Sequence, residues 1–405
     1  MTDNLAETTT RPTADSAKRN KALPGQTVLV FQGGGALGAY QGGVYQALHE
    51  AGIEPDWVIG TSIGAINGAV IAGNEPGRRL ERLREFWDRM ARKSPWGGAP
   101  APFAQFPFVS MPPPFVQSLA SWGGNIVAQM MTICSGVTGY FSPNRALAYG
   151  LNAPVGVEQA GFYTIEALHE TLTGIIDFAR VNTKQPRLTV GAVNVRSGKM
   201  HYFDSRDMPL TLQHVLASGA LPPAFPAIRI DGDPYWDGGI YSNTPIETVF
   251  DDYPRRDSVV FTVQMWHAAG PEPESVWQVL NRQKDIQYAS RADSHIVRQE
   301  HIHQLRHIVR ELVRRMPEAQ RDTPEVREMA GYGCGTIMHI VRLNAPRLDH
   351  EDHLRDIDFT SAGIHARWQA GYADTMRTVE RRPWEKPIDP MMGVAVHDPE
   401  AETAP

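Results

Sequence analysis

The chain has 405 residues, 42% hydrophobic and 21% charged. This is near ordinary globular usage, so it excludes wholesale disorder and allows a large buried core. A net charge of -6 and a pI near 6.2 argue against a whole-chain electrostatic grip on nucleic acid. Two cysteines, Cys134 and Cys334, lie far apart with no CxxC. That spacing excludes a disulfide framework and a thiolate zinc cage and fits a reducing compartment.

In chain order, residues 1–26 read as a disordered arm rich in Thr, Ala and charge, without the apolar core of a secretory signal. The run TVLVFQ (27–32), bounded by Gly33, reads as a buried strand. Tyr40, Val44, Ala47 and Leu48 then recur at helical spacing until Gly52. DWVIGTS (56–62) reads as a second buried strand and 63–72 as a helix of small residues. This βαβα order implies parallel pairing and an α/β architecture. Residues 78–93 are amphipathic, with Leu80, Leu83, Trp87 and Met90 on one face.

The composition then changes. From 94 to 144 there is no Asp, Glu, Lys, Arg or His, and Pro and Phe crowd the first half. This charge-free insertion reads either as a lid or acyl-chain channel meeting lipid, or as buried core with an ordered loop. The α/β pattern returns with a helix at 163–177, a strand at 187–195, a helix at 212–217 and a hairpin turning at Asp231-Gly232. A strand follows at 258–265. Beyond 270 the sequence is charge-rich and helical to about 316, with one late strand (337–343), a helix (361–379) and a tail from Pro383. No stretch is uniformly apolar over the length of a bilayer, so a soluble, cytoplasmic protein is expected.

Three motifs carry chemistry. Gly60-Thr61-Ser62-Ile63-Gly64 is a G-x-S-x-G between a predicted strand and a predicted helix. That context forces a serine hydroxyl outward while the helix N-terminus favours developing negative charge. Gly33-Gly34-Gly35-Ala36-Leu37-Gly38 ends the first strand. It matches a dinucleotide fingerprint, but no acidic residue closes the second strand, which ends in the serine instead. An oxyanion hole of backbone amides is the preferred reading. Asp237-Gly238-Gly239 is by itself an ordinary turn sequence. It matters because an acyl-transferring serine needs a base. A rival reading takes Ser62, Asp237 and His267 as a hydrolase triad, but the elbow comes after only one βα unit, early for that fold. His303 and His307 stand at i, i+4 without the Glu of a zinc protease motif, so they read as a solvated or interdomain face, and no metal or other cofactor is expected.

FQGGGALGAYQGGVYQAL, IGTSIGAINGA, ASGALPPAFPAI and YWDGGIYSNTPI occur in this order, and the chain resembles bacterial patatin-like phospholipases over residues 27–265. DIQYASR and HARWQAGYAD resemble an extension of unknown function that follows some of these domains. The resemblance implies a three-layer α/β/α domain with a mostly parallel sheet over 27–268, then a mainly helical extension (269–382) and a flexible tail (383–405). It implies Ser62 as nucleophile, Asp237 as base and Gly33, Gly34 and Gly35 as the oxyanion loop, with Gly60, Gly64, Gly238 and Gly239 supporting elbow and turn. The implied activity is hydrolysis of a lipid or other acyl ester, with peripheral membrane contact. The alternatives are a short-chain or polyester esterase, an acyltransferase with the same dyad, or a non-catalytic lipid-binding module. Gln32 replaces the family's usual Asp or Asn before the glycines, and Leu37 replaces a cation in the loop.

Overall fold

A computed structural model describes residues 23–91, 137, 139–348, 355–389 and 391–398. Its strands are β1 (Gln26–Phe31), β2 (Trp57–Thr61), β3 (Ser142–Pro143), β4 (Tyr163–Thr164), β5 (Arg187–Asn194), β6 (Met200–Asp204), β7 (Ile228–Ile230), β8 (Asp233–Asp237), β9 (Ser258–Gln264), β10 (Met338–Asn344) and β11 (Val394–His397). Nine of them form one sheet in the order β11-β10-β9-β1-β2-β5-β8-β7, with β6 also on β5. From β11 to β5 every neighbour is parallel, and β6, β7 and β8 join antiparallel.

The main helices are α1 (Ala39–Glu50), α2 (Ile63–Ala72), α3 (Pro76–Met90), α4 (Glu166–Ile175), α5 (Leu212–Ser218), α6 (Val276–Arg315) and α7 (Ser361–Arg381). Alternation along the strands separates the two faces of the sheet. Leu29, Phe31 and Val58 face a core shared with α1, α2 and α3. Val28, Val30, Trp57 and Ile59 face a second core containing Phe250 and Ile296 of α6. This is the expected three-layer α/β/α arrangement, with a helical C-terminal region. Helix α2 is buried all round, which explains its small residues. Helix α3 opens on a proline, and Thr360 caps α7 by accepting from the Gly363 amide at 3.1 Å.

Residues beyond 269 do not form a separate body. Strand β10 lies on β9, β11 lies on β10, and α7 packs on α1. Within 383–405, expected as a tail, Val394–His397 is therefore paired strand: its N–H and C=O groups find partners on β10. The α1–α7 crossing is close. A Cβ at Gly43 would overlap the Trp368 carbonyl, and one at Gly371 would overlap the Tyr40 carbonyl. His303 and His307 are buried, not solvated, and each donates its Nε2 proton to the Thr336 carbonyl, at 2.8 and 2.9 Å.

Overpacking this crossing should destabilise the whole molecule. Gly371→Val is expected to cost about 1–3 kcal/mol in urea unfolding, whereas a substitution at exposed Gly77, where a Cβ meets nothing within 4 Å, should cost far less.

Candidate active site

Ser62 sits between β2 and α2 with φ 57° and ψ -126°, a left-handed conformation rare for a residue with a side chain. Strain of this kind persists only where its surroundings over-determine it. Here the Ser62 amide donates to both the carbonyl (3.1 Å) and the Oγ (3.0 Å) of Ser218, and Ser218 Oγ donates to the Gly191 carbonyl at 2.7 Å. The turn also needs Gly60 and Gly64: a Cβ on the first would overlap the backbone of Gly64, and one on the second the Phe31 carbonyl.

Sheet register brings the carboxylate to the hydroxyl. Thr61 pairs with Gly191 across β2 and β5, and Ala192 pairs with Asp237 across β5 and β8. The residue after Thr61 thus stands beside the last residue of β8. Asp237 is 1% exposed and accepts from the Gly239 amide at 2.7 Å, and the Ser62 hydroxyl lies near enough to pull on its carboxylate. Burial pushes its pKa up to about 7, against the opposing pull of the Ser62 hydroxyl and the Gly239 amide. Gly238 lies against the Gly191 carbonyl, where a Cβ would not fit.

The glycine turn is less uniform than expected. Gly33 spends its amide on the Asn243 carbonyl (3.2 Å), and its own carbonyl accepts from Asn243 Nδ2 (3.1 Å) and Trp266 Nε1 (2.8 Å). A Cβ on Gly33 would sit 2.9 Å from Ser62 Cβ, so this glycine provides clearance and anchorage. Among the described residues no hydrogen bond takes up the amides of Gly34 and Gly35. Leu37 is buried in the core. Beneath the turn, Gln41 Nε2 donates to the Gln32 carbonyl at 2.7 Å and Asn67 Nδ2 donates to Gln41 Oε1 at 2.8 Å.

Ser62, Asp237, Gly33, Gly34 and Gly35 all line one cleft. Its walls are aromatic, with Tyr140, Phe141, Tyr163 and Phe225 in mutual contact at ring separations of 4.8–6.2 Å. Burial and the nearby Asp237 carboxylate raise the Tyr140 phenol above its ordinary pKa. Trp266, Tyr288, Asp356 and Phe359 also line it, Phe359 with its ring 5.5 Å from that of Tyr140. Most of the charge-free insertion lies outside the described residues, but its end supplies Tyr140 and Phe141.

His267, the rival base, does not line this cleft. Its amide faces Asp285 at 3.5 Å, and burial, with Arg347 and Arg355 nearby, lowers its ring pKa. Ser218, Asn243, Trp266 and the C-terminal wall were not singled out from sequence. Ser218 and Asn243 lie inside quoted motifs, a weak signal, whereas Trp266 and Asp356 carry none.

A family model described as patatin-like phospholipase matches residues 29–250, more than half of the chain. The chain belongs to the patatin-like phospholipase family. A second model, described as patatin phospholipase, matches residues 286–391, the region that supplies β10 and α7. Patatin-like phospholipase domain-containing protein 6 of Mus musculus is 40% identical over 75 residues, 18% of this chain and 6% of that protein. Lysophospholipase nte1 of Aspergillus terreus is 57% identical over 53 residues, 13% of this chain and 4% of that protein. Triacylglycerol lipase ptl3 of Schizosaccharomyces pombe is 38% identical over 68 residues, 17% of this chain and 14% of that protein. The chain thus spans a small part of the length of each, and these relatives are eukaryotic, so patatin-like membership stands without the bacterial assignment. Among solved structures, VipD from Legionella pneumophila aligns with a TM-score of 0.36 and 16% identity, covering 88% of this chain and 67% of that one.

Asp237 also sets a stability prediction. Its folded pKa, about 7, lies above the value of ~3.9 in an unfolded chain. The folded carboxyl keeps its proton up to about pH 7, so its stabilising contribution is full below the unfolded value and is lost as pH rises through 7. Asp237→Asn should therefore raise the thermal midpoint, and by more at pH 8 than at pH 5.

Proposed function

We propose that the protein is a serine acyl-ester hydrolase acting on lipids of the phospholipid or lysophospholipid type, through a Ser62–Asp237 dyad and an acyl-enzyme intermediate. The observation that carries this reading is a strained, elbow-borne serine lining the same aromatic cleft as a buried carboxylate whose pKa its hydroxyl pulls down. The family supports it, as do the names of two relatives, a lysophospholipase and a triacylglycerol lipase.

In the first half-reaction Ser62 Oγ attacks the ester carbonyl carbon as its proton passes to Asp237. A carboxylate at its usual pKa is a poor base, but one raised to about 7 is matched to a neutral medium. The carbonyl oxygen becomes an oxyanion facing the glycine turn. The amides of Gly34 and Gly35 are the donors available to it, reinforced by the N-terminus of α2. Gly33 holds the turn in place. Collapse expels the alcohol, which takes the proton from Asp237. Water then attacks the acyl-enzyme with Asp237 as base, releases the fatty acid and restores the Ser62 hydroxyl. An alcohol in place of water makes the same site a transferase.

The cleft's aromatic walls suit an acyl chain. The residues of 94–144 adjoining Tyr140 carry no charge and suit the same role as lid or channel. Among the described residues no helix is long and apolar enough to cross a membrane. Peripheral contact with a membrane that holds the substrate belongs to this proposal.

A fluorophosphonate probe should label Ser62 and nothing in Ser62→Ala. That variant should lose at least about 10³-fold in turnover on a short-chain ester. Labelling elsewhere, or no turnover by the unaltered chain on any ester or lipid, overturns the proposal and favours a binding module. A histidine-independent base also fixes the pH profile. kcat/KM should fall on the acid side with a midpoint near 7, where Asp237 takes up its proton, and His267→Ala should leave that limb in place.

A further inference from the structure

Trp266, Tyr288, Asp356 and Phe359, all outside residues 29–250, line the cleft, and this part of its wall bears directly on the glycine turn. Asp285 of α6 is 2% exposed and pairs with Arg355, itself 3% exposed. Arg347 Nη2 reaches the other oxygen of Asp285 at 3.1 Å. The Arg355 guanidinium lies 5.2 Å from the centre of the Trp266 ring, and the Trp266 ring lies 5.0 Å from that of Tyr288. Trp266 Nε1 is the 2.8 Å donor to the Gly33 carbonyl. The next residue, Asp356, is tied by both carboxylate oxygens to Lys284 Nζ at 2.9 Å. Its backbone carbonyl occupies the space a Cβ on Gly35 would need. Two contacts therefore reach the turn from this side, one through Trp266 onto Gly33 and one through Asp356 onto Gly35.

A buried ion pair is seldom the most stable way to fill such a space, because desolvation offsets the Coulomb attraction and apolar residues of like volume often do as well. Its use is geometric: a charge-paired guanidinium has few orientations open to it. We infer that the Asp285–Arg355 pair is a positioning device that fixes, through Trp266 and the Asp356 carbonyl, where the amides of Gly34 and Gly35 point. This rests on the serine mechanism proposed above. Neither residue touches substrate; both act on the oxyanion donors, whose value depends on sub-ångström placement. The C-terminal region is then part of the catalytic apparatus.

The test uses the full chain with p-nitrophenyl butyrate and a fluorophosphonate. Asp285→Asn combined with Arg355→Met removes both charges of this pair together. It should lower kcat by about 10–100-fold with KM within about twofold, because the lost aim affects the transition state and not the acyl walls. Fluorophosphonate labelling of Ser62 should slow in step. Arg355→Lys, which keeps the charge but loses the planar fork, should fall between. If the double variant does not fold, Trp266→Phe decides: it leaves the ion pair intact, removes the donor to Gly33, and should show the same loss in kcat. A folded double variant with unchanged kcat, a change confined to KM, or a fully active Trp266→Phe overturns the inference while leaving the Ser62 mechanism standing. Absence of Ser62-dependent turnover in the unaltered chain removes the mechanism, and this inference with it.

Discussion

A carboxylate taken out of water and left facing a serine hydroxyl is the constraint around which this molecule is built. Asp237 accepts from the Gly239 amide, feels the Ser62 hydroxyl and, among the described residues, forms no ion pair, so its ionised form is expensive and its proton affinity high. Such a group is tolerated only where the backbone on both sides is held fast. The parallel strands do this on one side and the antiparallel β8 on the other, with β5 between them setting the register. The strain at Ser62 is held by the same means, through Ser218 and its bond to β5. Destabilised groups placed together on a rigid sheet are what a reactive centre requires, and they draw on the stability supplied by the two cores.

The second organising feature is the division of labour in the glycine turn. The three glycines look equivalent in sequence, yet only Gly34 and Gly35 keep their amides unclaimed among the described residues. Gly33 is tied at both its amide and its carbonyl. A turn with a free end and an anchored end is better defined than one with three free amides, since each unanchored peptide would otherwise reorient toward solvent. Gln32 extends the anchorage, donating to Thr244 Oγ1 at 2.8 Å and accepting from the Trp266 amide at 3.1 Å. Its side chain thus reaches the segment just after β9, and Leu37 contributes packing to the core.

The third feature is continuity between the regions matched by the two family models. Strands β10 and β11 prolong the parallel sheet, α7 lies on α1 through a glycine crossing, and the segment at 355–359 meets both the glycine turn and the cleft. Charged, helical composition suggested an appendage. Composition reports how much of a helix faces water, not what its remaining face covers. Helix α6 is exposed along much of its length, while Asp285, Ile296 and His303 on its buried side reach the core and the site.

Local chemistry was legible in the sequence: the βαβα opening, the serine elbow with its candidate nucleophile, the glycine turn and the Asp231-Gly232 hairpin follow from short-range rules about periodicity, glycine and turn residues, whereas Asp237 as base came from the resemblance to a family. Strand β6 was not, because MHYFD has no clear alternation and gains its partner only from β5. Nor was β11, a four-residue edge strand in a Pro-rich, acidic stretch. What the tertiary structure alone decided is which distant groups converge: that Ser218 braces the elbow, that Trp266 and Asn243 anchor Gly33, and that Asp285 and Arg355 stand behind the turn. Those contacts join residues scores of positions apart, and no local propensity encodes them, because their energy exists only once the sheet has set their separation.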